Sequence, residues 1–258
     1  MTSQQPKRGF PWRAVCVGAN LVSLAAVVVW IAVDPDFARV LHWQRVELGL
    51  RPGADALPLV RAWTHFGWQL LAIKGLVALG ALSGLAAFVL LFVGPSRQRG
   101  ARAWLTLITL CSAWLALGTG WEGFAWWAKQ QRLKRELPAF IQAGKLLENR
   151  WPGQDGELAG FGAYNAYPIG APSTLMMLQD PTAPDSAKFA LVERSPSGGL
   201  RFALSGPERG DWLEWHPAGH APQSFTGGLE DRHELVRSAA LGDGWHLARY
   251  QPDFGDSQ

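Results

Sequence analysis

Three stretches of this chain are apolar on every face that a helix could present, and their cores carry no charge. The first covers residues 14–33, AVCVGANLVSLAAVVVWIAV. Twenty residues at a rise of about 1.5 Å each match the roughly 30 Å hydrocarbon core of a bilayer. The second covers 67–93, with the charge-free run GLVALGALSGLAAFVLLFVG at its centre. The third covers 103–121 and opens AWLTLITLCSAWLALGTG. A soluble helix keeps a polar face, so this all-round apolarity predicts three transmembrane helices. The basic start Lys7, Arg8 and Arg13 also suits a signal peptide. The apolar run that follows is too long for one, and no small-x-small cleavage site precedes Asp34.

Strongly polar residues inside these spans are few, which makes each informative. Asn20 is the strongly polar residue of the first span, and it is expected to bond to another helix or to a backbone carbonyl. Gly80 and Gly84 stand four apart in the second span, with Ser83 and Ala87 near the same face. They are candidate helix-packing positions, within this chain or against a partner. Trp121, Trp126 and Trp127 gather where the third apolar run gives way to charge. With Glu122 among them they are the candidate interfacial anchor, since amphipathic rings favour headgroup depth.

The connecting segments divide by charge. A basic tail, 1–13, precedes the first span, and a short basic loop, 94–102, carries Arg97, Arg99 and Arg102. Asp34 and Asp36 follow the first span. Cytoplasmic loops hold the excess of Lys and Arg, so the N-terminus and the 94–102 loop are expected inside and the C-terminal part outside. Lys129, Arg132, Lys134 and Arg135 argue the other way, but they begin several residues beyond the third span. The linker 34–66 is long for a hairpin. Phe37, Val40, Leu41, Gln44 and Leu48 form a partial stripe that would suit an interfacial helix, and residues 51–55 read as a turn.

Beyond the membrane the period changes. Leu133, Leu137, Phe140, Ile141, Gly144 and Leu147 recur as an amphipathic helical stripe within a connecting segment, 122–150. Pro138 falls inside it, so a new helix starts there or the helix kinks. Residues 151–187 are full of Gly and Pro turn signals, with a short strand expected at 174–178. Alternation then becomes clear. Residues 189–194 and 200–204 flank Ser-Pro-Ser-Gly-Gly as a hairpin, 212–215 make a further strand, and 235–240 and 245–250 pair across Asp243-Gly244. The expected fold is a three-helix transmembrane region followed by a small α+β soluble domain, 151–258, built on an antiparallel sheet.

Composition matters once the halves are separated. Residues 1–135 carry fifteen Lys and Arg against five Asp and Glu, whereas 136–258 carry nine against sixteen. The net charge of +3 is therefore about +10 and −7 in opposition. Basic charge beside apolar spans reads as contact with lipid headgroups, and an acidic soluble domain disfavours nucleic acid. Cys16 and Cys111 both lie within apolar stretches, so no disulfide framework holds the soluble domain.

No sequence motif assigns chemistry. Asp211, Glu214, His216 and His220 fall within ten residues, but Pro217 and Gly219 between the histidines exclude the helix that would make them a metal pair. The glycines of 153–170 match neither a P-loop nor a dinucleotide fingerprint, and no serine has nucleophile-elbow context. No catalytic residue, cofactor or metal is therefore assigned. The architecture points to a membrane-anchored interaction or sensing protein, a subunit or accessory factor of a membrane complex. It would sit in a bacterial inner membrane, with the bilayer and either a membrane-protein partner or a second copy as its contacts. A hydrolase acting on a cell-envelope substrate and an oligomeric channel or transporter component are the alternatives.

Overall fold

The structure is a computed structural model that describes residues 12–34, 56–93, 100–158, 161–178, 189–204 and 210–253. For 56–66, 70, 252 and 253 it describes the backbone alone. Two compact units divide the chain, Met1–Trp126 and Trp127–Gln258.

Three helices are present among the described residues: α1 (Trp12–Val33), α2 (Ala56–Val93) and α3 (Ala101–Asn149). Each contains an 18-residue stretch apolar enough to cross a membrane, with mean hydropathies of 2.3, 2.6 (within Gly67–Val93) and 1.4. Leu, Ala and Val repeat through these stretches without a proline, and a helix satisfies its own backbone where lipid offers no partner. Helix α2 begins at Ala56, eleven residues before the apolar run at 67–93. The partial stripe at 37–48 and the turn at 51–55 lie outside the described residues, as do most of the basic tail and of the 94–102 loop. Helix α3 has 49 residues and contains Pro138, so no new helix begins there. Proline lacks the N–H that would reach the Lys134 carbonyl, and the neighbouring turns carry the helix past it.

Within the first unit α1 and α2 pair along their lengths. Val27, Ile31 and Ile73 form a buried cluster, flanked by Trp30, Leu76, Trp114, Leu117, Trp121, Phe124 and Ala125. Trp30 stacks on Trp68 with centroids 6.2 Å apart. Leu21, Val22, Val29, Leu79, Leu82, Leu85 and Val89 are exposed. In water such a surface would aggregate; in a bilayer it faces acyl chains.

The second unit is a nine-stranded antiparallel, unclosed sheet in the order β1-β2-β3-β4-β5-β6-β9-β8-β7. The strands are β1 (Gly156–Leu158), β2 (Gly162–Tyr167), β3 (Thr174–Met177), β4 (Phe189–Arg194), β5 (Leu200–Leu204), β6 (Asp211–Trp215), β7 (Phe225–Thr226), β8 (Arg232–Gly242) and β9 (Trp245–Asp253). The hairpins expected at 189–204 and 235–250 are β4–β5 and β8–β9. Asp243 and Gly244 take the positive φ values, 49° and 78°, that so tight a turn requires. The turn-rich 151–187 segment holds more order than its glycines suggest, because β1 and β2 lie within it.

Alternation assigns two faces to the sheet. Phe189, Phe202, Leu213 and Leu247 are wholly buried on the face that meets the last turns of α3. Phe140 lies 5.8 Å from Phe189 and 5.6 Å from Phe202 by ring centroid. A Cβ at Gly144 would stand 3.3 Å from the Trp245 ring, so the missing side chain lets the helix approach. The opposite face carries Glu193, Arg201, Trp212, Glu214 and Tyr250, all buried. The chain from His216 to His233 crosses this face and covers it. Phe225 meets Trp212 at 5.4 Å and Tyr250 at 5.0 Å, and Gly228 reaches back to β3 and β4.

Candidate functional site

Four constellations hold the polar groups that chemistry or recognition would use. The first lies among the apolar helices. The Asn20 amide donates to the Gly80 carbonyl at 2.6 Å and, more weakly, to Ser83 Oγ at 3.4 Å. Its Oδ1 accepts from Trp114 Nε1 at 2.9 Å. Ser83 Oγ in turn donates to the Gly80 carbonyl at 3.1 Å. Asn20, Ser23 and Ser83 are all buried. A Cβ on Gly80 would fall 2.6 Å from the Trp114 ring, and one on Gly84 would fall 3.3 Å from the Asn20 amide. The two glycines thus meet the same polar knot from one helix face.

The aromatic group of the third span spreads around its helix. Trp121 packs against the Val27–Ile31–Ile73 cluster, and Trp126 is buried. Glu122 and Trp127 are exposed.

The second constellation joins α3 to the sheet. The Asp211 carboxylate is fully buried and accepts from Lys129 Nζ and from both Arg249 Nε, at 2.6 Å, and Nη2, at 2.9 Å. The forked Arg249 contact fixes the geometry of the carboxylate as a single bond would not. Burial pushes the Asp211 carboxyl up from its ordinary value, against the pull of Lys129.

The third constellation is a row across the opposite face. Register places Glu193 beside Arg201, Arg201 beside Glu214, and Glu214 beside His246. Glu214 accepts from the Tyr250 hydroxyl at 2.7 Å and meets His216 Nε2 at 2.6 Å. Arg201 Nε stands 3.7 Å from the same carboxylate, and its guanidinium lies 3.8 Å over the Phe225 ring. Glu193 Oε1 accepts the Gly228 N–H at 2.9 Å. Burial pushes the Glu193 carboxyl up. Burial and the Glu214 charge push the Tyr250 phenol well above its ordinary value. Burial pushes the His246 imidazole down, helped by His216.

The fourth is the β2–β3 hairpin, whose tip is Tyr167-Pro-Ile-Gly-Ala-Pro. Its base is braced. Ser173 N–H donates to the Tyr167 carbonyl at 2.9 Å, Trp151 Nε1 to the Pro172 carbonyl at 2.6 Å, and Ala166 N–H to Asp155 at 2.8 Å. The tip itself projects: Tyr167 is 42 % exposed and Ile169 98 %.

The acids and histidines of 211–220 do not converge. Asp211 and Glu214 lie on opposite faces of the sheet, and His220 is exposed. His216 and Glu214 have the geometry of an imidazole oriented by a carboxylate, as a catalytic base needs. Among the described residues His216 Nδ1 has no hydrogen-bond partner, and Ser195 Oγ is engaged with Ser197 Oγ at 2.9 Å. With His216 3 % and Glu214 0 % exposed, the pair works as internal architecture. Among the described residues no three His, Cys, Asp or Glu are placed to hold a metal ion.

Sequence reasoning singled out Gly80, Gly84 and the tryptophan group but passed over Glu193, Arg201 and Tyr250. The signal for the first two was present. Each lies four positions from the centre of the Ser195–Gly199 turn, so a hairpin pairs them. Comparison of the chain with protein-family models, with curated proteins and with solved structures returned no match.

Proposed function

We propose that this protein is a membrane-anchored interaction subunit, which uses its sheet domain to contact another protein of the same membrane. The helices supply attachment, and their polar groups are spent on one another around Asn20. The observation that carries the reading is the braced, uncharged β2–β3 tip that presents Ile169 to solvent. A large aliphatic side chain held in water on an ordered hairpin loses apolar contact unless another surface covers it. The partner would be a neighbouring subunit, and the domain would lie outside a bacterial inner membrane with the N-terminus inside. The polar row of the opposite face favours this reading over a hydrolase, because its carboxylates and imidazoles are tied inside the domain.

The experiment is site-specific photo-crosslinking from position 169 in native membranes. The expected outcome is a discrete adduct, and separately a partner that co-isolates with the wild type but not with Ile169→Asp, while the far-ultraviolet dichroism of the purified variant stays unchanged. Differently tagged copies separate self-association from a second protein. Equal co-isolation of the wild type and Ile169→Asp would sink the reading.

A further inference from the structure

We propose that Glu193 is a buried proton-binding site, and that its ionisation releases the 225–231 turn from the face of the sheet it covers. The inference stands apart from the partner-contact reading.

Charge counting starts it. The row contains two buried carboxylates, Glu193 and Glu214, and one guanidinium between them, Arg201. Glu214 takes most of the compensation, since Tyr250, His216 and Arg201 all address it. Glu193 has the Gly228 N–H and the more distant charge of Arg201. Around it stand Thr174 from β3, Arg201 from β5, Asp231 from the turn and His233 from β8. Asp231 repels a charge on Glu193, whereas the Gly228 N–H of the turn itself favours it, followed by His233 and Arg201. His233 Nε2 is 2.8 Å from Asp231 Oδ2 and so is partly committed there. Burial outweighs these attractions and holds the Glu193 carboxyl above its ordinary value of 4.5.

Packing turns the proton into a switch. A Cβ on Gly227 would fall 3.1 Å from Glu193 Oε1, and one on Gly228 would overlap the Thr174 hydroxyl. The turn therefore lies directly on one carboxyl oxygen of a residue that is only 4 % exposed. Lifting the turn gives the ionised carboxylate the water that burial withholds. A raised carboxyl pKa means that the docked state holds its proton longer than the open state does. Docking is thus fully stable below the ordinary carboxylate pKa and weakens as pH rises through the raised one. Phe225, at the start of the 225–231 segment, packs on Trp212 of the sheet, so release would bare an aromatic surface.

The test is hydrogen exchange of peptides covering 222–235 in the full chain in mild detergent, corrected for intrinsic rates, from about pH 4 to about pH 8. Wild-type protection is expected to fall with rising pH, by up to about tenfold for each unit that Glu193 is raised. Glu193→Gln should flatten the profile. Asp231→Asn removes a repulsion that raises Glu193 only in the docked state, so the fall should be smaller and end at lower pH, which keeps the test sharp if the glutamine variant folds poorly. Helix α3 peptides, on the other face, serve as the reference. A wild-type profile that is flat or rises with pH would overturn the proposal. So would an unchanged fall in Glu193→Gln, or a fall of unchanged size and end-point in Asp231→Asn.

Discussion

At Gly80 a hydrogen stands where any other residue would place a carbon 2.6 Å from the Trp114 indole. That ring is held by its bond to Asn20, which also grips the Gly80 carbonyl, so it cannot swing away without giving up a hydrogen bond. Gly84 meets only the end of the Asn20 amide at 3.3 Å, a contact that a shift of a few tenths of an ångström relieves. The two glycines, equivalent in a small-residue motif, therefore differ in cost. Gly80→Ala should lower the stability of the helical unit by about 1–3 kcal/mol, as overpacking does elsewhere. Gly84→Ala should cost well under about 1 kcal/mol, since alanine also regains helix propensity. Denaturant titration in detergent, read by tryptophan fluorescence, compares the two; equal losses would refute the Trp114 wedge. Asn20 itself was a legible polar residue in an apolar run, because an amide in hydrocarbon must find a partner. Its partners were not legible, lying 60 and 94 residues away.

Elements show the same boundary between local and long-range information. The apolar spans and the β4–β5 and β8–β9 hairpins are written in neighbouring residues and could be read. Strand β2 has its own local signal, Tyr164 and Ala166 buried at alternate positions, but surrounding glycines hid it. The link between α3 and the sheet could not be read, because it depends on Asp211 pairing with Lys129, 82 residues earlier. That ion cluster yields a prediction at this scale. Asp211→Asn keeps the shape but leaves Lys129 and Arg249 sharing a neutral amide in a buried site. Removing one partner of a buried ion pair costs about 3–5 kcal/mol, far more than a surface pair would. The loss should appear as a lower thermal midpoint in circular dichroism, together with faster hydrogen exchange in residues 127–135. Replacing Glu234, whose contact with Arg232 is solvent-exposed, gives the contrast, with an expected change below about 1 kcal/mol. Comparable losses in both variants would mean that Asp211 does not brace the helix.

For the whole molecule the decisive pattern is charge. The first 135 residues hold a net charge of about +10 and the rest about −7, so a basic isoelectric point conceals an acidic domain. Much of the basic surplus sits beside the apolar spans, at Lys7, Arg8 and Arg13 before the first and at Arg97, Arg99 and Arg102 between the second and third. The opposing run Lys129, Arg132, Lys134 and Arg135 is compromised as a cytoplasmic signal, because Lys129 is tied to Asp211 within the folded sheet unit. The proposed orientation, with the N-terminus inside, then rests on the two upstream clusters. Protease added to intact spheroplasts is expected to digest residues 136–258. Changing all six upstream cations to Ala should yield a mixed population, with part of that domain protected until lysis. Neutralising Arg132, Lys134 and Arg135 instead should leave digestion complete. Protection of the wild-type domain would reverse the orientation, and it would also place the Ile169 tip in the cytoplasm, where a different set of partners could reach it.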